Sequence, residues 1–382
     1  MKNTYKLLIL PLVVLTLASC QNPAADPHYS KGEDLKIISI EMSDEYGEST
    51  LIKYGNYEIV IDSGNFADSS HVASVMEQYV TDKTIDLMVI THPHGDHFGG
   101  FIDGAFDDFS VSKLVDFGYT YSPSGEGDNI SSSSLYNSYV SKRNQMVSKG
   151  TVYTAITNEL SSHPTLNIDE TNNLAITWLK NDYYVAPGVS FPNSSMANVT
   201  NPNSTSVAFL LSYKYWNFPF LGDADSTYAE YSIVNNHKDL LSPEWKKVCL
   251  KATHHASSSS DGTTLLNWAH PNAAFVSAAM LDSVCVPNEV VLGSGTGEQN
   301  HPNKTTVSRI KNALALQNST SFYWNGINGD LTITCDGVND LTFAGAGRSK
   351  DYYIKNTTDI ASREEEKNVT FFDSKFYQYY QR

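Results

Sequence analysis

The sequence has few cysteines and few basic residues for its length. It contains 4 cysteines among 382 residues, and the three that follow Cys20 are scattered: Cys249, Cys285 and Cys335. This spacing does not predict a disulfide framework. Lysine and arginine number 26 against 42 aspartates and glutamates, which gives a formal net charge of −16. Because contacts to long nucleic acids need clustered basic side chains, this charge argues against a general polynucleotide-binding surface.

Long apolar runs are also scarce, and the one at the N-terminus is short. A basic start, Lys2 and Lys6, precedes an apolar run over residues 7–17 that is too short to span a bilayer comfortably. The ending Leu17-Ala18-Ser19-Cys20 resembles a bacterial lipobox, in which the cysteine is lipidated and becomes the mature N-terminus. An ordinary signal peptide with a coincidental cysteine is the alternative. We therefore predict lipidation at Cys20 and a membrane-anchored location outside the cytoplasm.

The rest of the chain predicts one large domain. Hydrophobic residues make up 41% of the sequence, which is enough for a packed core. The predicted elements alternate β and α twice, with a meander in each half, which favours an α/β fold of two similar halves arranged as an αββα sandwich. The predicted order is signal peptide, flexible tether, α/β domain and C-terminal appendage, at residues 1–19, 20–34, 35–345 and 346–382.

The densest group of chemically active side chains follows an apolar run at residues 85–90. Three histidines and one carboxylate stand within six positions there, namely His92, His94, Asp96 and His97. Imidazole and carboxylate are common ligands of Zn²⁺ and similar divalent metals. The pattern therefore predicts a metal site at the end of a buried strand. Gly99 and Gly100 follow the cluster and predict a turn.

Further candidate ligands follow other predicted strands. Asp223 comes directly after an apolar run, the pair His254 and His255 comes after another, and His301 stands in a glycine-rich loop. Active sites of α/β sheets collect at one end of the strands, so these residues can converge on the first cluster. Neither a Ser-His-Asp triad motif nor a P-loop is visible.

Residues 156–205 are rich in Asn, Ser, Thr and Pro, with one predicted strand at residues 174–179. A long polar segment near a metal site is a candidate lid or substrate wall, and a solvated insertion is the alternative. Its aromatic residues Trp178, Tyr183 and Tyr184 can stack on a base or enclose a quaternary ammonium group, or can simply pack in the core.

The ordered motifs resemble the metallo-β-lactamase fold. More closely, they are similar to the hydrolase domain of ComEC-type competence proteins and to secreted phosphodiesterases such as the phosphorylcholine esterases. The matching segments are Thr91 to Gly100, Asn203-Ser204-Thr205-Ser206-Val207, Leu221-Gly222-Asp223, Lys251-Ala252-Thr253-His254-His255-Ala256-Ser257 and Asn300-His301-Pro302. They span most of the chain that follows the tether.

The sequence departs from this pattern in two places. Ala256 stands where a glycine is usual, which removes no ligand. The broader superfamily places another histidine between the first cluster and the bridging aspartate. Asn203 and Ser206 occupy that region here, as in the ComEC-type branch, and His163 is expected to be a loop residue rather than a substitute ligand.

The resemblance implies two divalent metal ions, Zn or alternatively Mn, and assigns a role to each matching residue. His92 and His94 would bind one ion, Asp96 and His97 the other, and Asp223 would bridge both. His254 would complete one coordination sphere. His255 or His301 would complete the other or donate to an oxyanion of the substrate, and Asp96 could also orient the nucleophile. The implied metal set is His92, His94, Asp96, His97, Asp223 and His254, and the implied catalytic set is Asp96, His255 and His301.

The implied function is that of a lipid-anchored dinuclear metallohydrolase that cleaves phosphodiester bonds with a metal-bridged hydroxide. The acidic charge favours a small or glycan-linked phosphodiester over a long nucleic acid, and no protein partner is inferred. A lactonase, β-lactamase or thioester hydrolase on the same fold is the first alternative, because fold alone does not decide the chemistry. A non-catalytic metal-binding surface lipoprotein is the second.

Overall fold

The computed structural model describes residues 34–42, 47–121, 133–158, 165–191, 196, 198–241, 246–280, 301–347, 352–353, 360–361 and 363–380. The predicted signal peptide, Cys20, His163 and Cys285 lie outside the described residues, so the predictions made for them stay predictions. Within the described ranges, no helix combines the length and apolarity needed to cross a bilayer.

Two large sheets form the centre of the protein. The strands of the first half are β1 Leu35–Ser39, β2 Thr50–Tyr54, β3 Tyr57–Ile61, β4 Thr84–Val89, β5 Ser110–Asp116, β6 Thr120–Tyr121 and β7 Val152–Ala155. The strands that follow are β8 Thr165–Asp169, β9 Leu174–Trp178, β10 Ser190–Phe191, β11 Phe209–Tyr213, β12 Trp216–Phe220, β13 Lys247–Lys251, β14 Ala273–Val276, β15 Phe322–Trp324, β16 Leu331–Cys335, β17 Thr342–Gly345, β18 Tyr352–Tyr353 and β19 Ile360–Ala361.

The two sheets repeat one arrangement. The first has the strand order β17-β16-β1-β2-β3-β4-β5-β7, and the second has the order β15-β14-β13-β12-β11-β9-β8. In each sheet an antiparallel meander is followed by parallel strands, β3 to β7 in the first and β12 to β15 in the second. Since parallel strands end at the same edge of a sheet, the loops after β4, β12 and β13 are placed to build one site.

The helices cover the outer faces of the sheets. They are α1 Ser69–Tyr79, α2 Gly95–Ile102, α3 Ser133–Ser148, α4 Ala229–Asn236, α5 Thr263–Ala269, α6 Lys304–Leu316, α7 Asn325–Asn328, α8 Arg363–Glu366 and α9 Lys375–Tyr380. Side chains of the second sheet alternate between two environments, as a pleated strand requires. Phe209 and Cys249 face the core shared with the first sheet, whereas their neighbours Leu210 and Leu250 pack beneath α4 and α6. The predicted αββα sandwich of two similar halves is therefore confirmed.

The prediction of a turn at Gly99 and Gly100 is wrong, because both residues lie inside α2. Their role is close packing. A Cβ atom on Gly100 would lie 2.2 Å from the carbonyl oxygen of Ser63, and one on Gly99 would lie 2.7 Å from the backbone nitrogen of Phe66. The helix that carries part of the histidine cluster is thus held directly against the loop that follows β3.

Residues 156–205 contain more sheet than the one predicted strand. Besides β9, the described part of this segment includes β8, which pairs antiparallel with β9, and the short β10, which pairs with β6. The composition misled because β8 is an edge strand with only two of its five residues buried, so it needs few apolar residues.

The described part of the C-terminal segment buries aromatic side chains. Phe371, Phe372, Phe376 and Tyr377 join one hydrophobic cluster with α6 and with Phe322 of β15. Residues 371–377 therefore cover part of the second sheet.

Gly100→Ala tests the close approach of α2. We expect the free energy of unfolding to fall by about 1–3 kcal/mol, because the added methyl group enters a filled space. Helix propensity alone predicts a gain of ~1 kcal/mol. Urea unfolding of the metal-free protein measures the difference, with Asn144→Ala on the exposed face of α3 as the control. A Gly100→Ala variant as stable as the wild type would contradict the packing described.

Candidate metal centre

The first half of the site is built where β4 ends and α2 begins. His92 lies in the loop between them, His94 is the residue immediately before α2, and Asp96 and His97 lie in the first turn of the helix. All four side chains are buried. The start of a helix carries a partial positive charge that favours a carboxylate, which suits the position of Asp96.

The second half of the site comes from the loops after β12 and β13. Asp223 follows Gly222, whose φ of 55° lies in the left-handed region and whose Cβ would meet Ser206 and Thr91 at 2.9 Å. The backbone N–H of Asp223 donates to Ser206 Oγ over 3.1 Å. Ser206 therefore fixes the turn that presents the carboxylate.

His254 and His255 lie in an unusual turn. Three consecutive non-glycine residues, His254, His255 and Ala256, have φ values of 46°, 51° and 58°. Each such conformation costs free energy that the surrounding structure must offset, and such strain is typical of functional sites. The left-handed backbone at Ala256 also explains why a glycine is usual at this position in the resembling motif.

Four buried side chains from the two halves converge. His97 Nε2 lies 3.2 Å from Asp223 Oδ2 and 3.5 Å from Asp96 Oδ2. His255 Nε2 lies 3.3 Å from Asp96 Oδ2 and 3.5 Å from Asp223 Oδ2. One potential ligand atom from each of the four residues lies within 4.8 Å of all the others. This is a candidate metal-binding group.

Asp223 also borders a second group of histidines. His92 Nε2 lies 3.7 Å from Asp223 Oδ2 and 3.1 Å from His94 Nδ1. The Asp223 carboxylate thus borders the His92–His94 pair and also belongs to the group of four, and its predicted bridging role stays a prediction.

His254 and His301 lie at the border of the site. His254 Nε2 is 3.7 Å from Asp223 Oδ2 and 3.2 Å from Asn203 Nδ2. The His301 ring lies 5.3 Å from the ring of His254 and 6.0 Å from that of His255. The structure therefore brings all the predicted site residues together, but it places His255 rather than His254 in the group of four. The division between ligands and catalytic residues stays a prediction.

The sequence analysis missed the residues that orient the histidines. His97 Nδ1 donates to Asp62 Oδ2 over 2.7 Å, and Asp62 also accepts from the Thr91 backbone N–H and hydroxyl. His255 Nδ1 donates to the carbonyl oxygen of Ser277 over 2.8 Å. With Nδ1 engaged in this way, each Nε2 atom faces the carboxylates of Asp96 and Asp223, and outer partners of this kind are usual for metal-ligating histidines. Asp62 directly follows the apolar run Ile59-Val60-Ile61, and this position was the available signal.

A buried ion pair was missed as well. The Lys251 ammonium contacts the Glu48 carboxylate, and both side chains are fully buried. Burial opposes the charge on Lys251, but Glu48, Asp223 and Asp62 together raise its pKa. Lys251 is therefore a cation at neutral pH.

The electrostatics of the site prepare most of its side chains to bind a cation. Burial holds the pKa of His92 well below its usual value and that of His254 at about 4, so both imidazoles are neutral. Burial by itself raises the pKa of the Asp223 carboxyl group. The neighbouring histidines His97, His255 and His254 outweigh burial and hold this pKa well below the usual range. His97 differs, because three carboxylates (Asp223, Asp96 and Asp62) overcome burial and raise its pKa well above 6.5.

The residues present fit a metal ion. Among the described residues, the buried carboxylate oxygens Asp96 Oδ1 and Asp223 Oδ1 have no hydrogen-bond partner. Buried polar atoms without partners are rare in folded proteins, and buried carboxylates are costly unless paired with protons or metals. A donor set of imidazole nitrogens and carboxylate oxygens suits Zn²⁺ and also accepts Mn²⁺.

The aromatic residues of the 156–205 segment divide between core and surface. Trp178 is buried edge-on against Phe209, and the Tyr184 hydroxyl bonds the carbonyl oxygen of Leu179 and the N–H of Ala208. Both are packing residues. Tyr183 is half-buried and meets Tyr228 edge to face, with ring centroids 5.6 Å apart.

Comparison with known protein families identifies the first half of the site. Residues 43–103 match the model of the metallo-beta-lactamase superfamily, and this segment contains His92, His94, Asp96 and His97. The match covers this segment alone, and the two-sheet fold described above is the fold class that the segment's resemblance predicted. No curated protein sequence matches the chain.

Solved structures resemble the chain only distantly. The metallo-beta-lactamase fold protein YhfI from Bacillus subtilis is 15% identical, with 58% of this chain and 72% of that chain covered and a TM-score of 0.30. Human tRNase Z, short form, is 13% identical, with 76% and 91% covered and a TM-score of 0.36. A diphosphatase from the PhnP family is 11% identical, with 63% and 85% covered and a TM-score of 0.33. Likenesses this distant carry no argument about substrate.

Alanine variants of the paired histidines should differ in metal binding. We expect His255→Ala to weaken Zn²⁺ binding by at least the roughly 10- to 100-fold that outer-sphere partners contribute, because His255 belongs to the group of four. His254→Ala should weaken it less. Competition with a chromophoric chelator measures both affinities, and His270→Ala, at an exposed helix end, is the control. A greater loss of Zn²⁺ affinity in His254→Ala than in His255→Ala would contradict the placement of His255 in the metal-binding group.

Metal binding should release a proton. In the metal-free protein His97 is protonated at neutral pH, so a cation that takes its Nε2 atom must displace that proton. Affinity should therefore rise with pH until the raised pKa of His97 is passed. Calorimetric titration at pH 7 in two buffers of different ionisation enthalpy counts the protons, and we expect about one from His97. A binding enthalpy that is the same in both buffers would contradict the protonation of His97.

Proposed function

We propose that the protein is a dinuclear metal-dependent hydrolase that cleaves phosphodiester bonds outside the cytoplasm. The observation that carries the proposal is the position of Asp223, whose carboxylate lies within 3.7 Å of imidazole nitrogens of His92, His97 and His255. A carboxylate with two groups of nitrogen donors beside it is suited to bridging two cations. Members of the metallo-beta-lactamase superfamily are generally metal-dependent hydrolases.

The residues would hold two divalent cations, Zn²⁺ or Mn²⁺, in two overlapping sets. His92 and His94 would share one with Asp223, and Asp96, His97 and His255 would share the other with the same carboxylate. Cations held there would supply Lewis acidity for the activation of water and for the charge that develops on an oxygen of the substrate.

The side chains at the border of the site would position the substrate. The Asn203 amide lies 3.2 Å from His254 Nε2, and His254 and His301 have adjacent rings. Since burial holds the pKa values of both histidines below the usual value, each is a neutral hydrogen-bond donor rather than a fixed charge. Such donors suit the oxygen atoms of a phosphodiester or an acyl group.

The net charge of the chain supports the proposed substrate class. A formal net charge of −16 disfavours long polynucleotides, so the proposed substrate is a small or glycan-linked phosphodiester. Lipidation at Cys20 would tether the domain to a bacterial membrane, on the periplasmic or cell-surface side. The closer resemblance to ComEC-type and phosphorylcholine-esterase-like proteins belongs to the same proposal.

A substrate panel tests the proposal. We expect the metal-reconstituted protein to hydrolyse bis-p-nitrophenyl phosphate, with no turnover of nitrocefin and little of single-stranded DNA. Asp223→Ala should abolish turnover while the far-ultraviolet circular dichroism stays that of the wild type, since the site lies in loops at the sheet edge. Turnover of nitrocefin or a lactone without phosphodiester turnover would favour the alternative hydrolase chemistry. A protein that neither binds Zn²⁺ or Mn²⁺ nor gains thermal stability from them would support a non-catalytic lipoprotein.

A further inference from the structure

The buried ion pair of Glu48 and Lys251 links the two sheets beneath the metal centre. Glu48 lies in the connection between β1 and β2 of the first sheet, and Lys251 is the last residue of β13 in the second. Each side chain is at most 1% exposed, and the Lys251 ammonium contacts the Glu48 carboxylate. Within the described ranges, Lys251 is the only buried lysine or arginine.

The pair lies directly behind the residues of the centre. The Glu48 backbone N–H donates to the carbonyl oxygen of Asp96 over 3.1 Å. A Glu48 carboxylate oxygen, an Asp62 carboxylate oxygen and a His97 nitrogen all lie within 4.8 Å of one another. Lys251 precedes His254 by three residues on the strand that leads to the strained turn. Each charge of the pair therefore acts on the centre at short range and through a buried, poorly screened medium.

Stability alone does not explain such a pair. Removing two charges from water costs several kcal/mol per ion, and well-packed apolar residues of similar volume often serve as well or better. A lysine near a group that binds cations is also unfavourable for binding by itself, because like charges repel. Its buried partner carboxylate cancels that repulsion.

We propose that Glu48 and Lys251 set the electrostatic potential of the metal centre, with Glu48 permitting cation binding and Lys251 limiting it. Both are positioning residues that act through the field at Asp62, His97 and Asp223, and neither touches substrate. The inference rests on the proposed function, since it concerns the cations on which that function depends.

Charge removal at the two positions should have opposite effects. Glu48→Gln leaves the Lys251 ammonium without its partner, so Zn²⁺ affinity should fall at least tenfold. Lys251→Met removes the positive charge that opposes the cations, so affinity should exceed that of the wild type. In Glu48→Gln/Lys251→Met no charge is left, and affinity should return to within about threefold of the wild type. Zinc chloride titrated against a chromophoric chelator measures all four proteins.

Unfolding of the metal-free proteins separates an electrostatic effect on metal binding from an effect on folding stability. Each single variant leaves one buried ionisable side chain without its partner and should be less stable in urea than the wild type, whereas the double variant should recover. Zn²⁺ affinity and stability should therefore both fall in Glu48→Gln. In Lys251→Met stability should fall while Zn²⁺ affinity rises. If Lys251→Met does not fold, the comparison of Glu48→Gln with the double variant still decides the question.

A second lysine–glutamate pair provides the control. Lys53 and Glu58 face each other across the β2–β3 hairpin near its turn, with Glu58 buried, and the metal centre lies at the other end of these strands. Glu58→Gln should change stability and leave Zn²⁺ affinity unaltered.

Failure of the proposed function and failure of the inference about Glu48 and Lys251 give different results. A wild-type protein that binds no divalent cation would overturn the proposed function. A wild type that binds Zn²⁺, with equal losses of affinity in Glu48→Gln, Lys251→Met and the double variant, would leave that function in place and overturn the inference.

Discussion

The buried carboxylate of Asp223 is the constraint on which the rest of the site depends. It lies among imidazoles supplied by both halves of the sandwich, with one oxygen close to nitrogens of His92, His97 and His255. A carboxylate in this position cannot be left without compensating charge, because burial without a partner costs far more than a folded protein can tolerate. The two halves must therefore meet with accurate geometry for the fold and the centre to exist together.

That accuracy comes from features outside the ligand set. Gly100 lets α2 approach Ser63 closely, Asp62 fixes the ring of His97, and the left-handed turn at His254 presents the second pair of histidines. Each feature fixes the position of a candidate ligand through close packing, a hydrogen bond or a constrained backbone. Sites held in this way lose little free energy to reorganisation when a cation or substrate binds.

The sequence was sufficient to predict the architecture and the side chains that the fold brings together at the candidate centre. The cluster from His92 to His97 is local, so its chemistry is visible in six positions, and Asp223 and His254 follow apolar runs that form strands. What could not be predicted depends on contacts between distant segments. The Ser277 carbonyl oxygen that orients His255 is a backbone group with no sequence signature. Lysine and glutamate usually lie on the surface, so nothing in the sequence marks Lys251 and Glu48 as buried. Only the packing of the two sheets makes them a buried pair. Gly99 and Gly100 predicted a turn because glycine allows one, whereas their function is to lack a side chain.

The most direct test of a centre shared by the two halves is electron paramagnetic resonance of the protein reconstituted with Mn²⁺, together with the metal content per chain. We predict two ions per chain and the spectrum of an exchange-coupled pair, because Asp223 would connect them. One ion per chain, or two ions that give only the six-line spectrum of isolated Mn²⁺, would contradict a dinuclear centre bridged by Asp223.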